Sequence, residues 1–196
     1  MNTTSSLLQA LHGSGRQPAP EMSAVTPAEG GADPWALYQR YRMETSANGA
    51  SEEAIRLLKL AAAAGSQRAR VELGNRYRRG DGVAEDLHAA WNQYVTAARA
   101  GDPEAMTNLG VMYDQGKTVP PDAERACRCY RYAAERGFAV AQYNLAIMLA
   151  EGLGTTRDRE AACHWFAAAA TQGHRQAQEA LKWLQATMDQ TTDQPS

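Results

Sequence analysis

Cys127, Cys129, Cys163 and His164 are side chains of the types that ligate zinc and other soft metals. Cys127 and Cys163 lie 36 positions apart, a spacing that recurs along the chain and puts them at equivalent places on neighbouring helices. Neighbouring helix axes lie ~8–10 Å apart, whereas a disulfide needs Cα atoms within ~7 Å. Cys163 and His164 are adjacent in sequence and point in different directions on a helix. No metal is expected, and the thiols read as small, part-buried hydrophobes. Gly152-Leu153-Gly154 opens like a dinucleotide loop, but that fingerprint needs a preceding strand. The same spacing at Gly80-Asp81-Gly82 marks it as an inter-helix turn instead. His12, His88, His164 and His174 have no serine or carboxylate constellation around them, and no Ser-x-x-Lys motif is present. Neither catalytic residues nor a cofactor is expected.

Charge is the next resource. Arg68, Arg70, Arg76, Arg78 and Arg79 gather in one segment, and residues 66–101 carry six basic and four acidic side chains. Segments 102–137 and 138–173 are each net −1, by five against six and two against three. Nucleic acid would want a longer basic stripe with aromatic platforms, and the overall net charge of −2 gives it no support. The arginines form either a solvated face or a contact for an acidic protein segment, with Arg76 and Arg79 the candidates. Three cysteines do not make a disulfide framework and fit a reducing compartment. Met1 to Arg16 lacks a basic n-region and no apolar run is long enough to span a bilayer. A cytoplasmic location without membrane insertion is expected; leaderless export and the oligomeric state stay open.

The elements that hold these residues follow from one repeat. Ala105, Leu109-Gly110, Tyr113, Gly116, Asp122, Ala126, Tyr130, Ala133-Ala134 and Gly137 recur 36 positions earlier as Ala69, Leu73-Gly74, Tyr77, Gly80, Asp86, Ala90, Tyr94, Ala97-Ala98 and Gly101. They recur 36 positions later with Ala146 for the glycine, Leu149 for the first tyrosine and Phe166 for the second. A fixed period in the range of ~20–50 residues means a repeat architecture. Each unit reads as two antiparallel helices: helix A from about Pro103 to Gln115, stopped by Gly116, then helix B, capped by Asp122 and ending at Gly137. Ala126, Tyr130, Ala133 and Ala134 form one stripe that only stacking of pairs can bury. Full repeats are expected at 66–101, 102–137 and 138–173. A degenerate first repeat spans 33–65, opening on Asp33-Pro34 as N-cap and first helical residue. A capping helix covers 174–188 and a tail 189–196. Residues 1–32, rich in Ser, Thr, Pro and Gly, read as a disordered arm.

This pattern resembles the Sel-one-like repeat family, a subclass of the tetratricopeptide-like α-solenoids. The family pattern is Ala-x₃-Leu-Gly-x₂-Tyr-x₂-Gly, a Gly-Val turn, Asp, then Ala-x₃-Tyr-x₂-Ala-Ala-x₂-Gly. Residues 69–101 match nearly throughout, with Gly82-Val83 as the turn. The second copy departs at Lys117-Thr118 and Pro120-Pro121. The resemblance implies an all-α, right-handed α-solenoid and an adaptor role in assembling protein complexes. Cysteine-rich relatives linked to β-lactam chemistry carry a cysteine pair in each repeat; that pairing is absent here.

In such solenoids the A helices line a concave wall. With Ala105, Leu109 and Tyr113 on the packing face, the other face offers Asn108, Val111, Met112, Asn144, Ile147, Met148 and Trp183 as partner-binding candidates. Asn108 and Asn144 are equivalent, and an amide can hold an extended peptide by donor and acceptor together. Val111, Ile147 and Trp183 are equivalent too, and form either a binding stripe or a packing row. The expectation is a non-enzymatic adaptor that takes a peptide or helical segment of a protein partner. A leaderless exported protein acting on host proteins and a hydrolase with an unrecognised site are the rivals.

Overall fold

The computed structural model describes residues 32–192, with side chains described through Met188; the arm expected at residues 1–32 lies, Ala32 apart, outside the described residues. All nine elements among the described residues are α-helices. In chain order they are α1 (Pro34–Asn48), α2 (Glu52–Ala63), α3 (Gln67–Arg79), α4 (Leu87–Arg99), α5 (Pro103–Gln115), α6 (Ala123–Ala134), α7 (Ala139–Glu151), α8 (Arg159–Thr171) and α9 (Arg175–Thr192). They alternate as helices A and B; each A helix from α1 to α7 packs against the B helix that follows it, and α9 packs against α8. The fold is an all-α solenoid of 36-residue helix pairs. The helices form two compact units that divide between Asp102 and Pro103: α1–α4 in the first and α5–α9 in the second.

Local chemistry sets the helix ends. Asp33 caps α1 through the Trp35 N–H, with Pro34 in the first turn. Asp86, Asp122 and Asp158 each accept the backbone N–H three residues on, at the start of α4, α6 and α8. The backbone N–H of the same three residues donates back to the carbonyls of Tyr77, Tyr113 and Leu149 at 2.8–3.0 Å. One aspartate therefore fixes both where helix B begins and how far it sits from helix A. At the far end, Gly137 N–H bonds the Ala134 carbonyl and Phe138 N–H bonds that of Ala133. This is a Schellman closure on a glycine at φ 81°. It recurs at Gly65, Gly101 and Gly173, so the sequence-predicted stop at Gly137 is realised as a closure beyond the last regular turn at Ala134.

Packing explains the rest of the repeat. A Cβ on Gly74 would lie 2.6 Å from the ring of Tyr94, and one on Gly110 would lie 2.7 Å from that of Tyr130. The glycine thus makes room for the tyrosine of its own pair, not only for close helix axes. The first pair solves the same contact the other way round, with Tyr38 at the glycine position and the fully buried Leu58 at the tyrosine position. In α9 the position carries Lys182, which leaves no room for a ring there and suits a helix with no B partner among the described residues. α9 runs to Thr192, four residues past the expected end at Met188, and so takes in part of the expected tail.

Candidate protein-docking face

Helix A buries more of its circumference than a single amphipathic stripe. In α5, Ala105, Met106, Leu109, Met112 and Tyr113 are all buried, because the helix packs on its own B helix and is also held within the stack. This corrects two expectations about the open face. Met112 and Met148 are 4% and 3% exposed and belong to the core. The sequence did carry the signal: positions 76, 112, 148 and 184 are equivalent, and three of the four are Met, Met and Leu.

The fourth is Arg76, and it also departs from the expected surface role. Arg76 is 5% exposed. Its Nη2 donates to the Tyr41 hydroxyl at 3.0 Å, its Nη1 to Asp81 Oδ2 at 3.1 Å and its Nε to Glu72 Oε1 at 3.2 Å. The Tyr41 hydroxyl in turn donates to Glu72 Oε1 at 2.8 Å. Burial works against the Arg76 charge, but the Tyr41 hydroxyl, Asp81 and Glu72 outweigh it and raise its pKa. Burial also raises that of Tyr41, the Arg76 bond opposing and Glu72 adding to it. A guanidinium committed to three partners ties α3 to α1 and is a structural cation. Arg79, one turn on, is exposed.

The remaining candidates share the second unit. Asn108 and Val111 on α5, and Asn144 and Ile147 on α7, are half-buried. Trp183 on α9 is 62% exposed. Neither Asn108 nor Asn144 makes a side-chain hydrogen bond among the described residues. The equivalent residue of the first full repeat, Glu72, accepts from Tyr41 and Arg76 through Oε1. The apolar row has a structural side as well. Its first member is Asn75, whose Oδ1 accepts the Tyr94 hydroxyl at 2.8 Å. At the equivalent pair in the third repeat Ile147 has replaced the acceptor and Phe166 has lost the hydroxyl. In the first full repeat this position therefore meets the tip of the B-helix ring, while Val111 and Ile147 are half-buried and Trp183 is exposed.

The side chains first considered for chemistry lie elsewhere. Cys127 and Cys129 are buried and Cys163 half-buried. Burial pushes the Cys129 thiol up to about 12 and raises those of Cys127 and Cys163, the reverse of what a nucleophile or metal thiolate requires. Cys163 Sγ lies 3.9 Å from Met188 Sδ. His174 stacks on Tyr143 at 4.6 Å and accepts the Ala177 N–H through Nδ1, so it caps α9. Gly154, at φ 62°, packs against the Ala123 carbonyl at the start of α6. Among the described residues no three His, Cys, Asp or Glu side chains come together as a metal site, and no helix is long and apolar enough to cross a membrane.

Fold and face together define a helical repeat scaffold. The Sel1 repeat matches residues 48–66, 67–102, 103–138 and 139–174, and the chain belongs to this family. The three full repeats are matched one residue later than the sequence period suggested, and the match to the degenerate first repeat, expected at 33–65, covers only residues 48–66. Among solved structures, a protective antigen of uropathogenic Escherichia coli strains that displays an SLR fold is 30% identical, with a TM-score of 0.70. That match covers 78% of this chain and 33% of the antigen. A Sel1 repeat protein from Oxalobacter formigenes is 28% identical, with a TM-score of 0.69, over 76% of this chain and 62% of its own. The chain thus spans about a third and about three-fifths of the lengths of these two proteins. A comparison with curated proteins gives no match. Sel1 repeats are generally protein-interaction scaffolds, and the fold is typically not that of an enzyme.

Proposed function

We propose that this protein is a non-enzymatic adaptor that binds a segment of a protein partner on the A-helix face of its second unit. The observation that carries this is the pair of equivalent amides, Asn108 and Asn144, with no side-chain partner among the described residues beside Val111, Ile147 and Trp183. Amides that fix a backbone and apolar groups that seat side chains are the two components of a peptide groove. An exposed tryptophan is the residue type most enriched at binding hot spots. Met112, Met148 and Arg76 support the face from beneath or stand apart from it and take no part in contact. Arg79, exposed on the first unit, is a separate candidate contact for an acidic protein segment and no part of this face.

The double variant Asn144→Ala with Ile147→Ser tests the reading. Partner capture with quantitative mass spectrometry should lose its main specific protein while the helical circular dichroism stays at the wild-type level. Loss of one anchor and one amide costs ~2–4 kcal/mol when both are central. Unchanged capture by a folded variant would refute the face. A role outside the producing cell is a second reading, favoured by the similarity to a protective antigen. Detection in clarified culture medium without a cytosolic marker would support it, and confinement to the cell pellet would dismiss it.

A further inference from the structure

The first helix is apolar on two sides. Leu37 and Tyr41 are buried in the core of the first unit. On the opposite side of α1, Trp35, Gln39, Met43 and Ala47 follow one another at four-residue spacing, with Ala36 and Ser46 among them. Trp35 and Met43 are 68% and 72% exposed, more than any other large hydrophobic among the described residues. A cavity of about 450 Å³ lies against this stripe, and its described lining, Gln39, Arg42, Met43, Ser46 and Ala47, all belongs to α1. A helix side left to water is ordinarily polar; this one has the composition of a covered side. The stripe carries no carboxylate, and Arg40 and Arg42 stand on its rims. The charge of Arg40 acts on Glu53, whereas Arg42 makes no hydrogen bond or ion pair among the described residues.

Size and tether select what covers it. The stripe is one helix wide, far short of the ~20–30 residues a side of a stable interface between separate proteins. A segment of the same chain needs no such area, because a tether supplies an effective concentration on the order of mM. The chain enters α1 at Asp33, beside Trp35. Ahead of it, Leu7, Leu8 and Leu11 stand at i, i+1 and i+4, the spacing of one helix face. Three leucines are too few to hold a helix alone, but an apolar seat supplies the missing burial. The 21 residues from His12 to Ala32 have a root-mean-square reach of at least ~23–27 Å. Asp33 to Ala47 is ~21 Å along the helix axis. A linker whose reach matches its span gives the highest effective concentration. The same linker carries Glu21 and Glu29 against Arg16 as its one Lys or Arg, so it brings carboxylates past the free Arg42.

We infer that residues 7–11 of this chain fold back on the outward side of α1 and seat their leucines on Met43 and Ala47. This surface belongs to the first unit and stands independently of the docking reading above. The test places a photo-crosslinking amino acid at Ser46 in the full chain, alone and together with Leu8→Asp and Leu11→Asp. Both proteins are first checked for wild-type helical circular dichroism. After illumination in dilute solution and digestion with trypsin, the first protein should give a monomer-sized product. In it residues 43–56 are joined to residues 1–16, the tryptic peptide that ends at Arg16. The two leucine changes should remove most of that product. Without a crosslinker, peroxide should oxidise Met43 more slowly in the wild-type chain than in the chain with both leucine changes. A dimer-sized product would give the face to a second copy and overturn the inference. So would a yield unchanged by the leucine changes, equal Met43 oxidation in the two chains, or no product containing residues 1–16.

Discussion

The glycine–tyrosine contact is where a single residue most clearly writes the fold. Gly110→Ala forces a Cβ against the Tyr130 ring, and overpacking of this kind costs about 1–3 kcal/mol. The expected result is a melting midpoint lower by several degrees, with part of the loss recovered when Tyr130→Leu is added. The first pair already uses that exchange, with Tyr38 and Leu58 in the two places. The row of glycines was plain in the sequence as a period, but its reason was not, because no spacing rule says which ring a missing Cβ admits. Cys129 sets a second expectation at this scale. Burial holds its thiol neutral, raising its pKa from 9.0 to about 12. The fold therefore has the full benefit of Cys129 below pH 9 and loses it as the pH climbs toward 12. Tyr113 and Tyr130, both raised by burial, act in the same direction at still higher pH. Thermal midpoints should fall through this alkaline range, and less steeply in Cys129→Ala; identical slopes would show that the thiol is not titrating inside the fold.

At the scale of the helix, the aspartate that begins each full B helix does two jobs. Its carboxylate caps the helix and its N–H ties the turn to helix A. Asp122→Ala leaves the backbone bond and removes the carboxylate, which costs about 1 kcal/mol and lowers the midpoint by ~2–4 °C for a domain of this size. Asp122→Asn should recover most of it, since an amide oxygen still accepts the Arg125 N–H. Although α9 runs past its expected end at Met188 to Thr192, the aspartate caps and the left-handed glycine stops were legible from residue types alone. Which sides of helix A are free was less so. The periodicity at Ala105, Leu109 and Tyr113 marks one packing stripe, whereas a helix inside a stack buries two. Met112, Met148 and Arg76 fell on the wrong side of that distinction. Arg76 shows why: only the contact with Tyr41, Glu72 and Asp81 turns a surface-type residue into a buried one, and that contact joins residues as much as 35 positions apart.

For the whole molecule, cohesion within a unit depends on contacts from one pair to the next. Gly154 is such a contact in the second unit: an added Cβ would strike the Ala123 carbonyl, and the residue sits at positive φ. Gly154→Ala should therefore cost at least about 2 kcal/mol, visible in a chemical unfolding curve as a lower midpoint or a split transition. The family and the stacked-pair architecture could be read from the 36-residue period, but the division at Asp102 could not, since the period runs through it unbroken. The candidate face was half legible. Asn108, Asn144 and the row from Val111 to Trp183 came from equivalence of position, while their open amides needed coordinates. The central claim is that this face of α5, α7 and α9 meets the partner. Its most direct test places a photo-crosslinking amino acid at Ile147, and in a separate protein at Arg128 on helix B. Illumination of cells carrying each protein should give one specific crosslinked product from position 147 and none from position 128. A product from 128 with none from 147 would contradict the account and move the interface to the B helices.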